Sequence, residues 1–483
     1  MQSQIPKQMT AVVGKVRRSW LRWAVRRTGQ AFVAMVALWL FAIGPWPSDN
    51  SSFVESRYQA QSIKSLQAAP LTSSPIGPMQ VGVAEADISP PPGHPLAGYS
   101  ARKEKGYREV DSRCFTRALT VATGTTKVTI VTADILLINA AMSKAIVEKT
   151  GLPAEELYFT ASHTHSGPGG WGDHPIEKLI AGAYDPAFFR TLVDTISDVI
   201  LRSREKLIDA VMGILSTPTK DRQANRLERG APLDDRLLAL VFRAVDAPSD
   251  NAAAAPPLAI LMVYSAHATM CGSSNSQLSA DYPGAMVEAV AKKTGCPAVM
   301  FAAGAVGEAT PIKQLAHTEQ EGARLLGHML ADDLTKALGS VKYEREIELS
   351  MLRTPVELPA FRIPISSGWR VSPICSSWIS TRQSHLHAVR IGSVVLVGFP
   401  GDYAGRLATG WVERCRERGL TLITTSFNGD YKGYLVPEQA FMTIAGYETR
   451  EMNFFGPWSG EFLTDLAERL VSRLAPTETA SPK

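Results

Sequence analysis

The sequence predicts an α/β protein: one large domain with a mixed sheet flanked by helices, preceded by an N-terminal hydrophobic anchor or signal segment. Three observations predict it. Short β-rich runs alternate with amphipathic stretches from about residue 79 to 474. The composition is that of an ordinary globular protein, 45% hydrophobic and 20% charged over 483 residues, enough chain to bury a sizeable core. An uncharged apolar stretch near the N-terminus directly follows a run of basic residues.

Taken in order, residues 1–29 form a basic segment. Lys7, Lys15, Arg17, Arg18, Arg22, Arg26 and Arg27 account for more than the whole net charge of +4, with no acid among them. The remainder is slightly acidic, so no nucleic-acid surface is expected. Residues 30–48 contain AFVAMVALWLFAIGPWP, an apolar stretch between the lengths of a signal-peptide core and a full span of about 20 residues. No small-x-small cleavage site follows it. An uncleaved signal anchor is the first reading, a late-cleaved signal the second, and a buried core helix the third. Either of the first two places the domain on the periplasmic or extracellular side, membrane-anchored or secreted.

Residues 49–78, rich in Ser, Gln, Pro and Ala, read as a flexible linker, and residues 475–483 as a disordered tail. Between them, strands are expected at Val81–Ala86, Ala118–Ala122, Lys127–Thr132, Leu157–Ala161, Ala259–Tyr264, Ala298–Ala302, Val389–Val397 and Thr421–Ser426. Helical patterns fall near Ala140–Lys149, Phe188–Lys206, Tyr282–Lys293, Glu319–Leu338, Ala404–Arg418 and Gly460–Leu474. The Ala/Pro-rich stretch Asp246–Pro257 reads as a surface loop. Cys114, Cys271, Cys296, Cys375 and Cys415 show no paired spacing, which leaves disulfide pairing open. Oligomeric state is not legible.

Chemistry concentrates in three places. In YFTASHTHSGPGGWGD a β run delivers His163 and His165; if the chain stays extended, both rings face one site. Neutral imidazole is a common zinc ligand, and the run of Gly167, Pro168, Gly169 and Gly170 suggests an open loop at which backbone approaches a ligand. The alternative is a hydrogen-bonded structural pair. His267 ends the apolar run LAILMVYSAH, as a ligand or a core histidine. Asp402, in VVLVGFPGDYAG, reads either as the N-cap of a following helix or as a carboxylate beside a metal. A second His-x-His, His385 and His387 in SHLHAVRIG, reads as the start of a strand rather than a metal site.

The order of these motifs resembles the neutral (non-lysosomal) ceramidase family over residues 79–474. GVAEADISPPPGHPLAGYS looks like the family's GxGxADITGP…GY segment, and SHTHSGPGG, residues 162–170, like its THTHSGPGG. YSAHATM, GEATP (residues 307–311), FPGD (399–402) and YKGY (431–434) are similar to its later blocks, in the same order. The resemblance implies a catalytic domain acting as a Zn2+-dependent amidohydrolase on ceramide or a related lipid amide, near a membrane. It implies zinc held by His163, His267, Asp402 and Tyr434, with His165 hydrogen-bonding the substrate carbonyl or its oxyanion. Arg226, in QANRLERG, matches an active-site arginine, with Arg229 close enough to compete for the alignment. Thr310 stands where the family carries a serine discussed as a catalytic hydroxyl.

Three departures keep other readings open: a zinc hydrolase of another envelope lipid amide or ester, or a silent lipid- or protein-binding homologue. Asp402 replaces Glu, so its carboxylate reaches one methylene less far. Thr310 replaces Ser. The family's usual C-terminal β-sandwich domain has no counterpart after residue 474. Trp171, Phe454, Phe455 and Trp458 are candidates either for an acyl groove or for core.

Overall fold

A computed structural model of the chain describes residues 7–102, 105–245, 255–313, 315–366, 368–377 and 379–475, with side chains from Trp20 onward. Two compact units emerge. The smaller draws on Met1–Asn50 and Ala360–Arg382, the larger on Ser51–Pro359 and Gln383–Lys483.

In the smaller unit a single helix, Lys7–Ala42, runs through both the basic segment and the apolar stretch. Ser372 caps its C-terminal end, the hydroxyl donating to the Ala42 carbonyl at 2.6 Å. Trp46–Pro47 then pairs with Trp369–Arg370, which pairs with Pro364–Ser366. The expected membrane span is not found. Among the described residues no helix is long and apolar enough to cross a membrane. The physical reason is dilution: the apolar run occupies only the C-terminal part of a helix whose remainder carries Arg22, Arg26 and Arg27.

In the larger unit, eight strands form the main path of one sheet. Their spatial order is Val299–Ala303, Ala259–Tyr264, Arg236–Ala244, Ile208–Pro218, Gly77–Asp87, Phe115–Thr123, Thr126–Ala133 and Leu157–Ala161. Only the pairs at the two ends are parallel. A second sheet orders Thr72–Ser73, Leu349–Glu357, Gln383–Ile391, Val394–Gly398 and Thr421–Thr425. The mixed sheet expected from sequence is therefore two sheets. They pack face to face through Leu119, Val121, Ile130, Leu240 and Leu261 on one side and Met351, Val389, Leu396 and Ile423 on the other, all fully buried. Each such side chain is worth about 1.5–3 kcal/mol of transfer free energy. Helices Ala140–Thr150, Pro186–Glu205, Asp281–Thr294 and Glu319–Ala337 cover the outer face of the first sheet. Arg57–Ala68 and Ser459–Leu474 pack on the second.

Two expectations change. The single strand Val389–Val397 is a hairpin, Gln383–Ile391 with Val394–Gly398, folded at Gly392–Ser393. The linker over 49–78 is in part structured: Arg57–Ala68 is a helix capped by Ser56, and Thr72–Ser73 adds an edge strand. Its polar side chains find tertiary partners: the buried Ser62 hydroxyl donates to Glu357 O and accepts from Glu357 N. Phe53 and Tyr58 both pack on Phe462. The tail from Pro476 and the loop over 246–254 lie outside the described residues. All five cysteines are free.

Candidate metal centre

The functional side chains sit on loops that leave the C-terminal ends of strands in both sheets. His163 follows Leu157–Ala161, His267 follows Ala259–Tyr264, Asp402 follows Val394–Gly398, and Tyr434 follows Thr421–Thr425. The loop after Thr425 stitches the ends together. Ser426 N donates to Ala303 O, its hydroxyl to Gly304 O at 2.7 Å, and the Asn428 amide to Phe159 O at 2.7 Å.

The chain is not extended at the His-x-His pair. The strand ends at Ala161, and His163 sits at φ +58°, the left-handed region that non-glycine residues rarely adopt. The rings still meet, Nε2 to Nε2 at 3.2 Å and edge-to-face. Phe427 stacks on the His163 ring with centroids 3.9 Å apart. The glycine loop is packed rather than open. A Cβ on Gly169 would lie 2.2 Å from Ala181 O, and Trp171 beside it is fully buried core. Its glycines serve close packing.

Three imidazoles are oriented alike. Nδ1 of His163 bonds Leu136 O at 2.7 Å, Nδ1 of His165 bonds Gly98 O at 3.2 Å, and Nδ1 of His267 bonds Val306 O at 2.8 Å. A carbonyl can only accept, so each Nδ1 carries the proton and each neutral ring offers a bare Nε2. Burial keeps them neutral: it lowers His163 to about 3 and holds His165 and His267 well below the usual imidazole value. The three rings' ligand atoms lie within 4.8 Å of one another.

Asp402 completes the ring of acceptors. Its Oδ1 lies 3.1 Å from His267 Nε2 and 3.5 Å from His163 Nε2, is fully buried, and has no hydrogen-bond donor. Asp402 does not cap a helix; a 3-10 turn at Gly405–Ala408 and then the helix Thr409–Glu417 follow, with Ala404 and Ala408 at their caps. Instead Asp402–Tyr403 pairs in parallel with Tyr434–Leu435, placing Asp402 opposite Tyr434. The backbones there approach so closely that a Cβ on Gly401 would sit 2.2 Å from Gly433 O. That approach answers the missing methylene of the shorter carboxylate. The Tyr434 hydroxyl lies 3.1 Å from His267 Nε2 and accepts from Arg226 Nη2 at 2.7 Å. Arg226 Nη1 donates to the Tyr447 hydroxyl at 3.0 Å, and its Nε lies 3.2 Å from Glu448.

Three bare nitrogens and an orphaned carboxylate oxygen gathered within a buried space fit a divalent cation. A tetrahedral ion with bonds of about 2.0–2.2 Å holds its ligands about 3.3–3.6 Å apart. The Asp402–His163 separation of 3.5 Å falls in that range, and the Asp402–His267 and Tyr434–His267 separations of 3.1 Å lie just below it.

The structure thus brings together His163, His165, His267, Asp402, Tyr434 and Arg226, and prefers Arg226 over Arg229. Thr310 stands apart. It lies on Ala309–Pro311, paired with Gln223–Asn225, and its hydroxyl joins none of the cluster's hydrogen bonds. GEATP contributes backbone instead: Val306 O and Ala309 O both receive His267, and Glu308 O receives Arg226 N. Sequence reasoning missed Tyr447 and Glu448, which no local pattern marks, and Tyr431, which was visible within YKGY but had no assigned role.

The family model for neutral/alkaline non-lysosomal ceramidase, N-terminal, matches residues 79–323, half of the chain. The chain belongs to this family. Among individual ceramidases, it is 26% identical to the neutral ceramidase of Drosophila pseudoobscura pseudoobscura over 155 residues and 25% to that of Drosophila melanogaster. Each alignment covers 30% of this chain and 22% of the relative, so only about a fifth of those ceramidases' length is spanned. Solved ceramidases share the fold. "Ceramidase complexed with C2" superposes with a TM-score of 0.70 at 17% identity, covering 84% of this chain and 77% of its own. The neutral ceramidase from Pseudomonas aeruginosa gives 0.69 at 17%, covering 85% and 76%.

Proposed function

We propose that this chain is a zinc-dependent amidohydrolase that cleaves the N-acyl amide bond of ceramide or a closely related lipid. The observation carrying the proposal is the buried, donorless Oδ1 of Asp402 facing the bare Nε2 atoms of His163 and His267. In this reading His163, His267, Asp402 and Tyr434 hold the ion. When bound, it supplies Lewis-acid polarisation of the amide carbonyl and a water acidified to near neutrality.

The chain's own residues divide the remaining work. His165, with Nδ1 committed to Gly98 O, presents Nε2 as an acceptor, which suits it to take the proton of the attacking water. The resemblance implies a hydrogen bond from His165 to the substrate carbonyl or its oxyanion; this tautomer favours the base instead. The proton then passes to the leaving nitrogen as the C–N bond breaks, giving a carboxylate and an amine. Arg226 and the half-exposed Tyr447 are the donors on the solvent side of the cluster, placed for the developing oxyanion. Thr310 has no role here, its hydroxyl lying outside the network.

Zinc content of the purified protein, together with fatty-acid release from a panel of fluorescent N-acyl lipids, tests the reading. Stoichiometric zinc with turnover of short-chain ceramide supports it. Turnover of only a different head group would keep the hydrolase and replace the substrate, while absence of both zinc and turnover would sink it. We also propose export, motivated by the basic segment ahead of the apolar stretch; recovery of the protein only from the cytoplasmic fraction would refute that.

A further inference from the structure

We infer that Tyr431 is a positioning residue that makes Asp402 a one-oxygen ligand and thereby keeps a coordination position free. The inference rests on the metal-centre reading above. Tyr431 lies just outside the ligand set. Its hydroxyl donates to Oδ2 of Asp402 at 2.8 Å, while Oδ1 faces His163 and His267 without a donor. The two oxygens of one buried carboxylate therefore have different duties.

A short, buried carboxylate beside an ion can rotate to offer both oxygens, which fills the position that water or substrate needs. A phenol committed to Oδ2 opposes that rotation.

Tyr431 is itself held from two sides. Its backbone N–H donates to Asp430 Oδ1 at 2.7 Å, and Asp430 Oδ2 accepts from the Ser384 hydroxyl at 2.8 Å, with Lys432 Nζ 3.4 Å away. Asp430 and Lys432 are both nearly fully buried. On the other side the Tyr431 ring lies 6.2 Å from Phe427, inclined by 27°, and Phe427 stacks on His163. One residue thus touches Asp402 directly and His163 through a single ring. Groups in this position typically change metal affinity 10–100-fold when removed.

The test uses full-length protein, comparing wild type with Tyr431→Phe. Two readouts apply: zinc retention against a competing chelator, and the visible spectrum of the cobalt-substituted protein, whose bands are strong in four-coordinate sites and weak at higher coordination. We expect zinc affinity about 10–100-fold lower and weakened cobalt bands. Unchanged affinity and an unchanged spectrum would overturn the inference while leaving the metal centre intact. A wild type that takes up no zinc would overturn both. Should Tyr431→Phe fail to fold by circular dichroism, Ser384→Ala, at the far end of the same chain of contacts, is the second variant. A smaller loss in the same direction supports the assignment, and none overturns it.

Discussion

The chain carries two His-x-His pairs, and they have opposite fates. His163 turns its bare Nε2 towards a carboxylate oxygen that nothing else satisfies, and His165 turns its own towards His163. His385 and His387 lie in the regular strand Gln383–Ile391, equally buried, with His387 Nε2 bonded to Glu155 O at 2.9 Å and His385 bonded to the Asn428 backbone. Around the second pair the nearby charges are chiefly cationic, Arg353 and Lys432. Among the described residues, the one group of three histidine, cysteine or acidic side chains placed to share an ion is that of His163, His165 and His267. The contrast teaches that the motif does not make the site. What matters is which ring nitrogen the backbone consumes, and whether the exposed lone pair faces another acceptor or a cation.

The sharpest way to break this comparison is to delete one ring from each pair. His163→Ala is expected to abolish stoichiometric zinc and reduce lipid-amide hydrolysis by several orders of magnitude, whereas His387→Ala retains zinc in whatever fraction folds. Equal zinc loss from both, measured by elemental analysis, would show that the pairs are not distinct. Chelation should act on the first pair alone. Removing the ion is expected to abolish turnover and lower the melting temperature, and added zinc should restore both. Arg226→Gln, which removes the charge that supports Tyr434 and Tyr447, should cost about 10²–10³ in kcat and weaken zinc retention as well.

Acid sharpens the second pair. His387 is held at about 3 by burial, against 6.5 for an ordinary imidazole. Between those values the unfolded chain binds a proton that the native ring refuses. Stability is therefore complete above pH 6.5 and lost as pH falls towards 3, by about 1.4 kcal/mol per unit for one such ring. Denaturant melts of wild type and His387→Gln should converge as the pH is lowered, because the variant lacks this loss; a constant difference across the range would contradict it. The smallest effect is expected from Thr310→Ala, whose hydroxyl is outside the network, with kcat within about threefold by the same assay.

Much of the architecture was legible because local patterns carried it. Leu157–Ala161 and Ala259–Tyr264 are strands to the residue, since continuous apolar runs bounded by polar or glycine-rich segments have few other uses. The hairpin Gln383–Gly398 read as one strand because a two-residue turn leaves the hydrophobic run almost uninterrupted. Ile208–Pro218 and Arg236–Ala244 went unassigned, although they are the middle of the first sheet.

The sequence by itself determined which chemistry was available: imidazoles at strand ends, a carboxylate after a Pro-Gly turn, a late tyrosine, and the family to which their order belongs. Tertiary structure alone decided that Asp402 lies opposite Tyr434 rather than on a helix cap, that the glycine loop is packed, and that Thr310 stands aside. Those outcomes depend on contacts between residues tens to hundreds of positions apart, such as Gly98 with His165 and Val306 with His267. A strand's period records which way its side chains point, but not which distant carbonyl takes a histidine's only proton.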